Sequence, residues 1–127
     1  MKNPSYFLYR RVLFVKKKAK LIIGCFYLIY GGTPHPSLVV SYNAKHKTYI
    51  SIKFGTTKGK HMTRIHPIQN GQNQQYVHNR PVEGTRDDYS ENELLGMQLD
   101  ERDNNIIETI KNKVPIKTKN AKKRYEK

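Results

Sequence analysis

The sequence predicts a small, mainly β domain that ends in a C-terminal helix and is arranged as an antiparallel barrel. Short runs rich in β-branched and aromatic residues follow one another between residues 24 and 82, with turn residues between them. One run alternates polar and apolar side chains, and a helical pattern follows near the C-terminus. A barrel is the simplest way to hide strand edges in a chain of 127 residues.

The N-terminal part combines a basic segment with an uncharged one. Residues 1–20 carry seven Lys or Arg side chains and are compatible with a basic arm, an extra strand or a helix. Residues 21–31 carry no charge, but they are too few to span a bilayer, which needs about 20. No small-residue cleavage site follows them, so a buried strand is favoured over a targeting segment and no membrane association is expected.

Three strands are expected next. Residues 24–30 and 37–42 are apolar or β-branched, and residues 43–47 form a polar hairpin loop before the third run. In that third run, residues 48–54, two sets of side chains alternate: Tyr49, Ser51 and Lys53 against Ile50, Ile52 and Phe54. This alternation is typical of a half-buried antiparallel strand.

The following residues carry weaker strand signals. Residues 55–60 form a predicted loop, and residues 61–68 form a strand whose inward set is either Met62, Arg64, His66 and Ile68 or the complementary residues. Residues 70–75 are an amide-rich loop. Residues 76–82 are compatible with one more short strand, interrupted by Pro81.

Helical signals appear after residue 90. Ser90 with Glu93 three positions later forms a capping box, which predicts a short helix through Leu94, Leu95 and Met97. A second helix is expected from Asp100 or Asp103 to Lys113, with Ile106, Ile107 and Ile110 on one face and Pro115 after its end. The predicted organisation is therefore an arm or extra strand over residues 1–20, a barrel with its helix over 21–115, and a lysine-rich flexible tail over 116–127.

Charge is distributed in blocks along the chain, whose net charge is +14. The first carboxylate is Glu83, and fourteen basic residues precede it. Residues 83–110 hold nine of the ten acidic residues, and eight of the last seventeen residues are basic. Such a polarised field predicts a polyanionic partner, and nucleic acid is the first class to consider.

Several classes of chemistry lack their residues. The basic part offers no carboxylate to hold Mg²⁺, and no glycine-rich phosphate loop is present. The five histidines lack metal-ligand spacing, and His61 and His66 would lie on opposite faces of a strand. We therefore expect no metal and no organic cofactor. The single Cys25 excludes an intramolecular disulfide and indicates a reducing, cytoplasmic location.

At this point the order of motifs resembles the MazF/PemK family, the small ribonuclease toxins of toxin-antitoxin pairs. The shared succession is a Gly-led hydrophobic strand at residues 24–30, His35-Pro36, a Val-rich strand ending at Ser41, the Thr56-Thr57 loop, and a final helix. The match covers residues 24–113. The family usually has Arg before the Pro, where this chain has His35.

The resemblance implies a small Src-homology-3-like antiparallel barrel that cleaves single-stranded RNA without a metal, by attack of the ribose 2′-hydroxyl on the adjacent phosphate. It implies His35 as base or acid and Thr56 or Thr57 as a donor to the phosphate. It also implies a homodimer and an acidic antitoxin-like protein partner.

Cations would hold the nucleic acid. The candidate contacts are Lys45, Lys47, Lys53, Lys58, Lys60, Arg64 and Arg80. Tyr42, Tyr49 and Tyr76 could stack on bases. RNA and DNA both stay open as ligands, and two other functions compete with the ribonuclease. One is a non-catalytic nucleic-acid-binding barrel of a phage or mobile element, and the other is a basic interaction protein that docks on an acidic partner.

Overall fold

The computed structural model of the chain describes residues 18–118, so the predictions for residues 1–17 and 119–127 lie outside the described residues. Within residues 18–118 the elements are seven strands and one α-helix: β1 (Phe26–Ile29), β2 (His35–Asn43), β3 (Thr48–Gly55), β4 (Met62–Arg64), β5 (Tyr76–His78), β6 (Val82–Gly84), α1 (Asn104–Lys111) and β7 (Ile116–Lys117). Short 3-10 turns lie at Arg86–Asp88 and Glu101–Asp103.

The strands form one sheet in the order β1-β2-β3-β5-β4, and all of these neighbours are antiparallel. Strand β6 also pairs with β3, and β7 joins β6 in parallel. The predicted class, mainly antiparallel β with a C-terminal helix, is confirmed. Among residues 18–118, however, no strand pairing joins β1 to β4, the two ends of this strand order. Backbone hydrogen bonds therefore do not close the barrel.

Strand β3 is the centre of the sheet. One of its edges pairs with β2 along most of its length, with Ser37 opposite Lys53, and a bulge lies between Val39 and Ser41. The other edge is shared, since Ser51 lies opposite Val82 of β6 and Phe54 lies opposite Val77 of β5. Residues 76–82 therefore contain all of β5 and the first residue of β6, with Pro81 between the two strands.

Most of β3 is covered on both faces, which corrects the prediction of a half-buried strand, but Lys53 near its end is only partly buried. One cluster contains Ile52, Phe54 and Val77 and is covered by Ile107 and Ile110 of α1. The other contains Val39, Tyr49, Val82 and Tyr89 together with Leu21, Tyr27 and Ile29. The alternation of side chains along β3 does not show that its second face is also buried, because Tyr89, which covers that face, comes from a distant segment of the chain.

That covering segment runs from the 3-10 turn at Arg86–Asp88 to Ser90. Tyr89 is fully buried, and its hydroxyl lies 2.8 Å from Ser51 Oγ. Backbone hydrogen bonds fix the segment beside β1: Tyr30 N donates to Asp88 O at 2.7 Å, and Ser90 N donates to Leu28 O at 2.8 Å. The segment is thus hydrogen-bonded along the edge of β1, although it does not form a strand itself.

The helix predicted to begin at Ser90 is wrong. Residues 90–99 contain turns and extended backbone, and Ser90 Oγ accepts a hydrogen bond from Leu28 N at 3.0 Å instead of capping a helix. Leu94 N donates to Phe26 O at 2.8 Å. The edge of β1 needs partners, and residues 90–94 supply them, so the local capping signal is overridden.

The predicted C-terminal helix is confirmed, with Ile107 and Ile110 buried as expected. The flexible tail predicted from residue 116 is wrong for residues 116–118. After Pro115 the chain pairs with β6, where Ile116 N donates to Pro81 O at 3.0 Å and Thr118 N donates to Glu83 O at 3.1 Å. Thr118 is buried.

The predicted strand over residues 61–68 is shorter in the structure. Strand β4 covers three residues, and the chain then leaves the sheet. Ile65 and Ile68 are buried against the helix-covered face. His66 is held by Asp103, which accepts from His66 N at 2.9 Å and lies 3.0 Å from the ring Nδ1.

Candidate functional site

A groove crosses the sheet where β2 begins and β3 ends. It consists of three adjoining cavities of about 170, 390 and 450 Å³. His35 lines the first and second of these, Lys53 the first and third, and His78 the second and third. We call this surface the histidine groove.

Strand register explains why these three side chains meet. Lys53 lies in β3 with β2 on one side and β5 on the other. Ser37 lies opposite Lys53 in β2, and the neighbouring pair Phe54 and Val77 brings His78 alongside Lys53 in β5. His35 is two residues before Ser37 and therefore shares its face.

The two histidines are in ring contact. The centroids of the His35 and His78 rings are 6.2 Å apart, and the rings meet edge to face at 82°. Burial, together with the positive charges of Lys53 and His35, lowers the pKa of His78 to about 4. At neutral pH the imidazole of His78 is therefore uncharged and able to accept a proton.

The Thr56-Thr57 loop forms another wall of the same groove. Thr56, Thr57 and Lys58 follow the end of β3, are exposed, and line the cavity of about 390 Å³ together with His35 and His78. The structure thus brings together the three predicted catalytic residues, His35, Thr56 and Thr57. Both hydroxyls and the Lys58 ammonium are available to donate hydrogen bonds.

The electrostatics of the groove favour an anion. Four cationic side chains line the three cavities: Lys53, Lys58, Arg80 and Lys117. Among the described residues that line them there is no Asp or Glu. Two acidic residues of the segment 83–110 form ion pairs outside the groove: Asp87 with Lys18 at 3.5 Å, and Asp100 with Arg102 at 2.7 Å.

Other predicted cationic contacts lie outside the groove. Lys45 and Lys47 belong to the hairpin after β2, at the opposite end of that strand from His35. Since β2 has nine residues, its ends lie roughly 25 Å apart. Lys60 and Arg64 do not line the three cavities, and Arg64 donates to Gln75 Oε1 at 3.3 Å and lies over the Tyr76 ring.

Arg80 lines the cavity of about 450 Å³, but part of its guanidinium is already used. Its Nε and NH2 groups donate to Val114 O at 3.2 and 2.9 Å. Arg80 therefore holds the segment that leads into β7 against the groove. Its remaining N–H groups are exposed and can meet an anion.

The predicted stacking tyrosines differ in access. Tyr49 is buried, and its hydroxyl accepts from Leu21 N at 3.2 Å, so it is a core residue and not a base platform. Tyr42 is exposed beside it, with the two ring centroids 4.8 Å apart. Tyr76 lies beneath Arg64. None of the three lines the histidine groove.

Three basic groove residues were missed by the sequence reasoning: His61, His78 and Lys117. His78 sits in a segment with only a weak strand signal, and Lys117 falls in the predicted tail. The strand that carries His78 pairs with β3 across more than 20 residues of chain, so no local pattern indicates the contact with His35. The only available signal was that the cationic segment contains five histidines, of which His78 is one.

Residues 18–118 contain neither a cluster of metal ligands nor a membrane-spanning helix. No group of three or more His, Cys, Asp or Glu side chains is close enough to hold a metal ion. No helix in this range is long and apolar enough to cross a membrane. Comparison with known protein families, curated proteins and solved structures gives no match for this chain.

Proposed function

We propose that this chain binds single-stranded RNA in the histidine groove and cleaves it, as its resemblance to the MazF/PemK ribonuclease toxins implies. The observation that carries the proposal is that His35, Thr56, Thr57 and Lys58 line one cavity. These residues are separated by about 20 positions in sequence, and a groove that collects them offers both proton transfer and phosphate binding.

The reaction needs few groups. A base takes the proton of the ribose 2′-hydroxyl, an acid protonates the leaving 5′-oxygen, and cations stabilise the charged phosphorane between them. His35 would serve in one of the proton-transfer roles. The Thr56 and Thr57 hydroxyls would donate to the phosphate oxygens, and Lys53 and Lys58 would neutralise their charge.

The same groove suggests how the activity would be controlled. A surface that is lined by Lys and Arg, with no carboxylate among its described lining residues, would be covered by an acidic antitoxin-like protein. This partner and a homodimeric state belong to the proposal through the family resemblance, and a cytoplasmic location belongs to it through the single Cys25.

The test is incubation of the purified chain with a long, mixed-sequence single-stranded RNA in the presence of EDTA. The wild type should produce discrete cuts whose 5′ fragments end in a 2′,3′-cyclic phosphate. His35→Ala and the double variant Thr56→Ala/Thr57→Ala should lose these cuts while they retain RNA in a filter assay at low salt.

The matched control is Lys45→Ala/Lys47→Ala, which removes two charges at the far end of β2 and should leave the cuts in place. Uncut RNA with all variants and with the wild type would overturn the ribonuclease proposal.

A second function is favoured by one observation: the exposed side chains of Lys45 and Lys47 lie well beyond the groove, in the hairpin after β2. Such a spread fits a non-catalytic barrel that binds nucleic acid through many phosphates. Intact RNA that is retained with a steep salt dependence, and unaffected by His35→Ala, would select this function.

A further inference from the structure

We propose that His78 is a second catalytic residue, which acts as the general base while His35 acts as the general acid on the same phosphodiester. This inference rests on the proposed function and makes it more specific. It assigns the two proton transfers to two side chains that are in ring contact and line the same cavity. It also gives a role to a residue that the family resemblance does not identify.

The two rings border one cavity. The His35 and His78 ring centroids are 6.2 Å apart, and both side chains line the cavity of about 390 Å³ that the Thr56-Thr57 loop also lines. A phosphate bound in this cavity would lie beside both rings, where each could form a hydrogen bond of about 2.6–3.2 Å to it.

The His78 ring is unprotonated at neutral pH, and the negative charge of a bound phosphate would raise its low pKa toward the range in which a general base is effective. Its pKa is lowered to about 4, first by burial and then by Lys53 and His35, so the ring is neutral where a base must be neutral. The charged and titratable side chains around it are His35 from β2, Lys53 from β3, and His61, Lys58 and Arg80 from the adjoining loops. All of these groups are basic, so a bound phosphate would relieve their mutual repulsion.

The alternatives in the groove are weaker. Thr56 and Thr57 carry hydroxyls that do not titrate near neutral pH, so they donate hydrogen bonds but do not exchange protons. His61 is exposed and lines only the cavity of about 450 Å³, away from His35 and the Thr56-Thr57 loop. His66 is tied to Asp103 outside the groove.

The proposed reaction is a transesterification in which one proton is taken up and one is given. The neutral His78 ring removes the proton from the ribose 2′-hydroxyl, and the 2′-oxygen forms a bond to phosphorus. The bond between phosphorus and the 5′-oxygen breaks, and protonated His35 transfers its proton to that oxygen. The products are a 2′,3′-cyclic phosphate and a 5′-hydroxyl, and exchange of one proton with water restores both rings.

The experiment measures single-turnover cleavage of the same RNA by the full chain and by His78→Gln, which keeps a polar side chain of similar length. We expect the rate to fall about 100-fold or more, the range of general acid-base catalysis. RNA retention at low salt should stay within about 2-fold, since Gln removes no charge at neutral pH.

His46→Gln is the matched control, because His46 is exposed on the hairpin at the far end of β2. It should cleave like the wild type. His78→Ala, assayed with added imidazole, is the second variant: a base that was removed is replaced by free imidazole, so partial recovery of the rate supports the role of His78 even where His78→Gln folds poorly.

A binding readout separates the two proposals. In proton NMR titrations, a 3′-nucleotide should shift the His78 ring resonances and raise the pKa of His78 above about 4, because its negative charge offsets Lys53 and His35. The same titration with His46→Gln should give the same shift.

The outcomes differ for each proposal. Cleavage by the wild type that persists in His78→Gln overturns the role of His78 and leaves the ribonuclease proposal standing. Absence of cleavage by the wild type overturns both. A 3′-nucleotide that leaves the His78 resonances unmoved also overturns the role of His78, whatever the rates.

Discussion

Two ends of the same sheet face differ sharply in what covers them. Near the middle of β3, Tyr49 and Ser51 point to the face that Tyr89 covers, and all three are buried. Two residues further along the same strand and the same face, Lys53 lines the open histidine groove. The strand carries one alternating pattern throughout, yet one end is core and the other is a polar surface.

The difference shows that the residues packed over a side chain decide whether it belongs to the core or to a binding surface. At the Tyr89 end, polar atoms satisfy each other, as the Tyr89 hydroxyl and Ser51 Oγ do at 2.8 Å. Burial also raises the pKa of Tyr89. At the groove end, His35, Lys53 and His78 face cavities and can meet a ligand. The first end supports the fold, and the second end lines the histidine groove.

Removal of the Tyr89 side chain should have the largest effect on the free energy of unfolding. Tyr89→Ala deletes a fully buried aromatic side chain and leaves a cavity beside Val39 and Tyr49, so the free energy of unfolding should fall by about 3–5 kcal/mol. Urea unfolding followed by circular dichroism at pH 7 measures this change. His78→Gln should lose far less under the same conditions, and equal losses would contradict the division between the two ends.

The hydrogen bond of the covered end can be removed alone. Tyr89→Phe keeps the ring but leaves Ser51 Oγ without its 2.8 Å partner, so we expect a loss of about 1–2 kcal/mol in the same unfolding measurement. Tyr42→Phe is the control, because Tyr42 is exposed. A neutral effect of Tyr89→Phe would mean that ring packing alone stabilises this end.

Low pH should lower the free energy of unfolding, because the folded protein holds His78 of the histidine groove in its neutral form. Above about pH 6.5, His78 is neutral in the folded and unfolded chains, whereas between there and about pH 4 only the unfolded chain takes up its proton. The free energy of unfolding should therefore decrease as the pH falls through this window. The decrease, measured by urea unfolding at pH 7 and pH 4, should be smaller in His78→Gln than in the wild type and unchanged in His46→Gln.

The smallest effects concern the distribution of cations. Lys53→Ala/Lys58→Ala removes two charges from the groove and should reduce the slope of log affinity for single-stranded RNA against log salt by about 1.4, which corresponds to two phosphates. Lys45→Ala/Lys47→Ala removes the same charge at the far end of β2 and should change the slope less. Equal changes would indicate a binding surface that is wider than the groove.

Local patterns predicted those elements whose neighbours in sequence are also their neighbours in space. The hairpin of β2 and β3 follows from two β-rich runs around a polar loop, and Asn43 Oδ1 accepts from Lys45 N and His46 N within that loop. Helix α1 follows from the spacing of Ile106, Ile107 and Ile110. In both cases the signal and the contact lie within a few residues.

Predictions failed where a distant partner outweighed a local signal. Ser90 has the sequence of a helix cap, but its hydroxyl accepts from Leu28 N, 62 residues away. Ile116 and Lys117 belong to a lysine-rich segment, but their backbone completes the edge of β6. The need of buried backbone groups for hydrogen bonds decided each case.

By itself the sequence determined the strand-rich class, the C-terminal helix, the cationic first 80 residues and three candidate catalytic residues that line one cavity. Only the tertiary structure decided that Tyr89 covers one end of the central strand and that His78 lies against His35, 43 positions earlier in the chain. The physical reason is that alternation records which side chains share a face, whereas the pairing of distant strands decides what lies on that face.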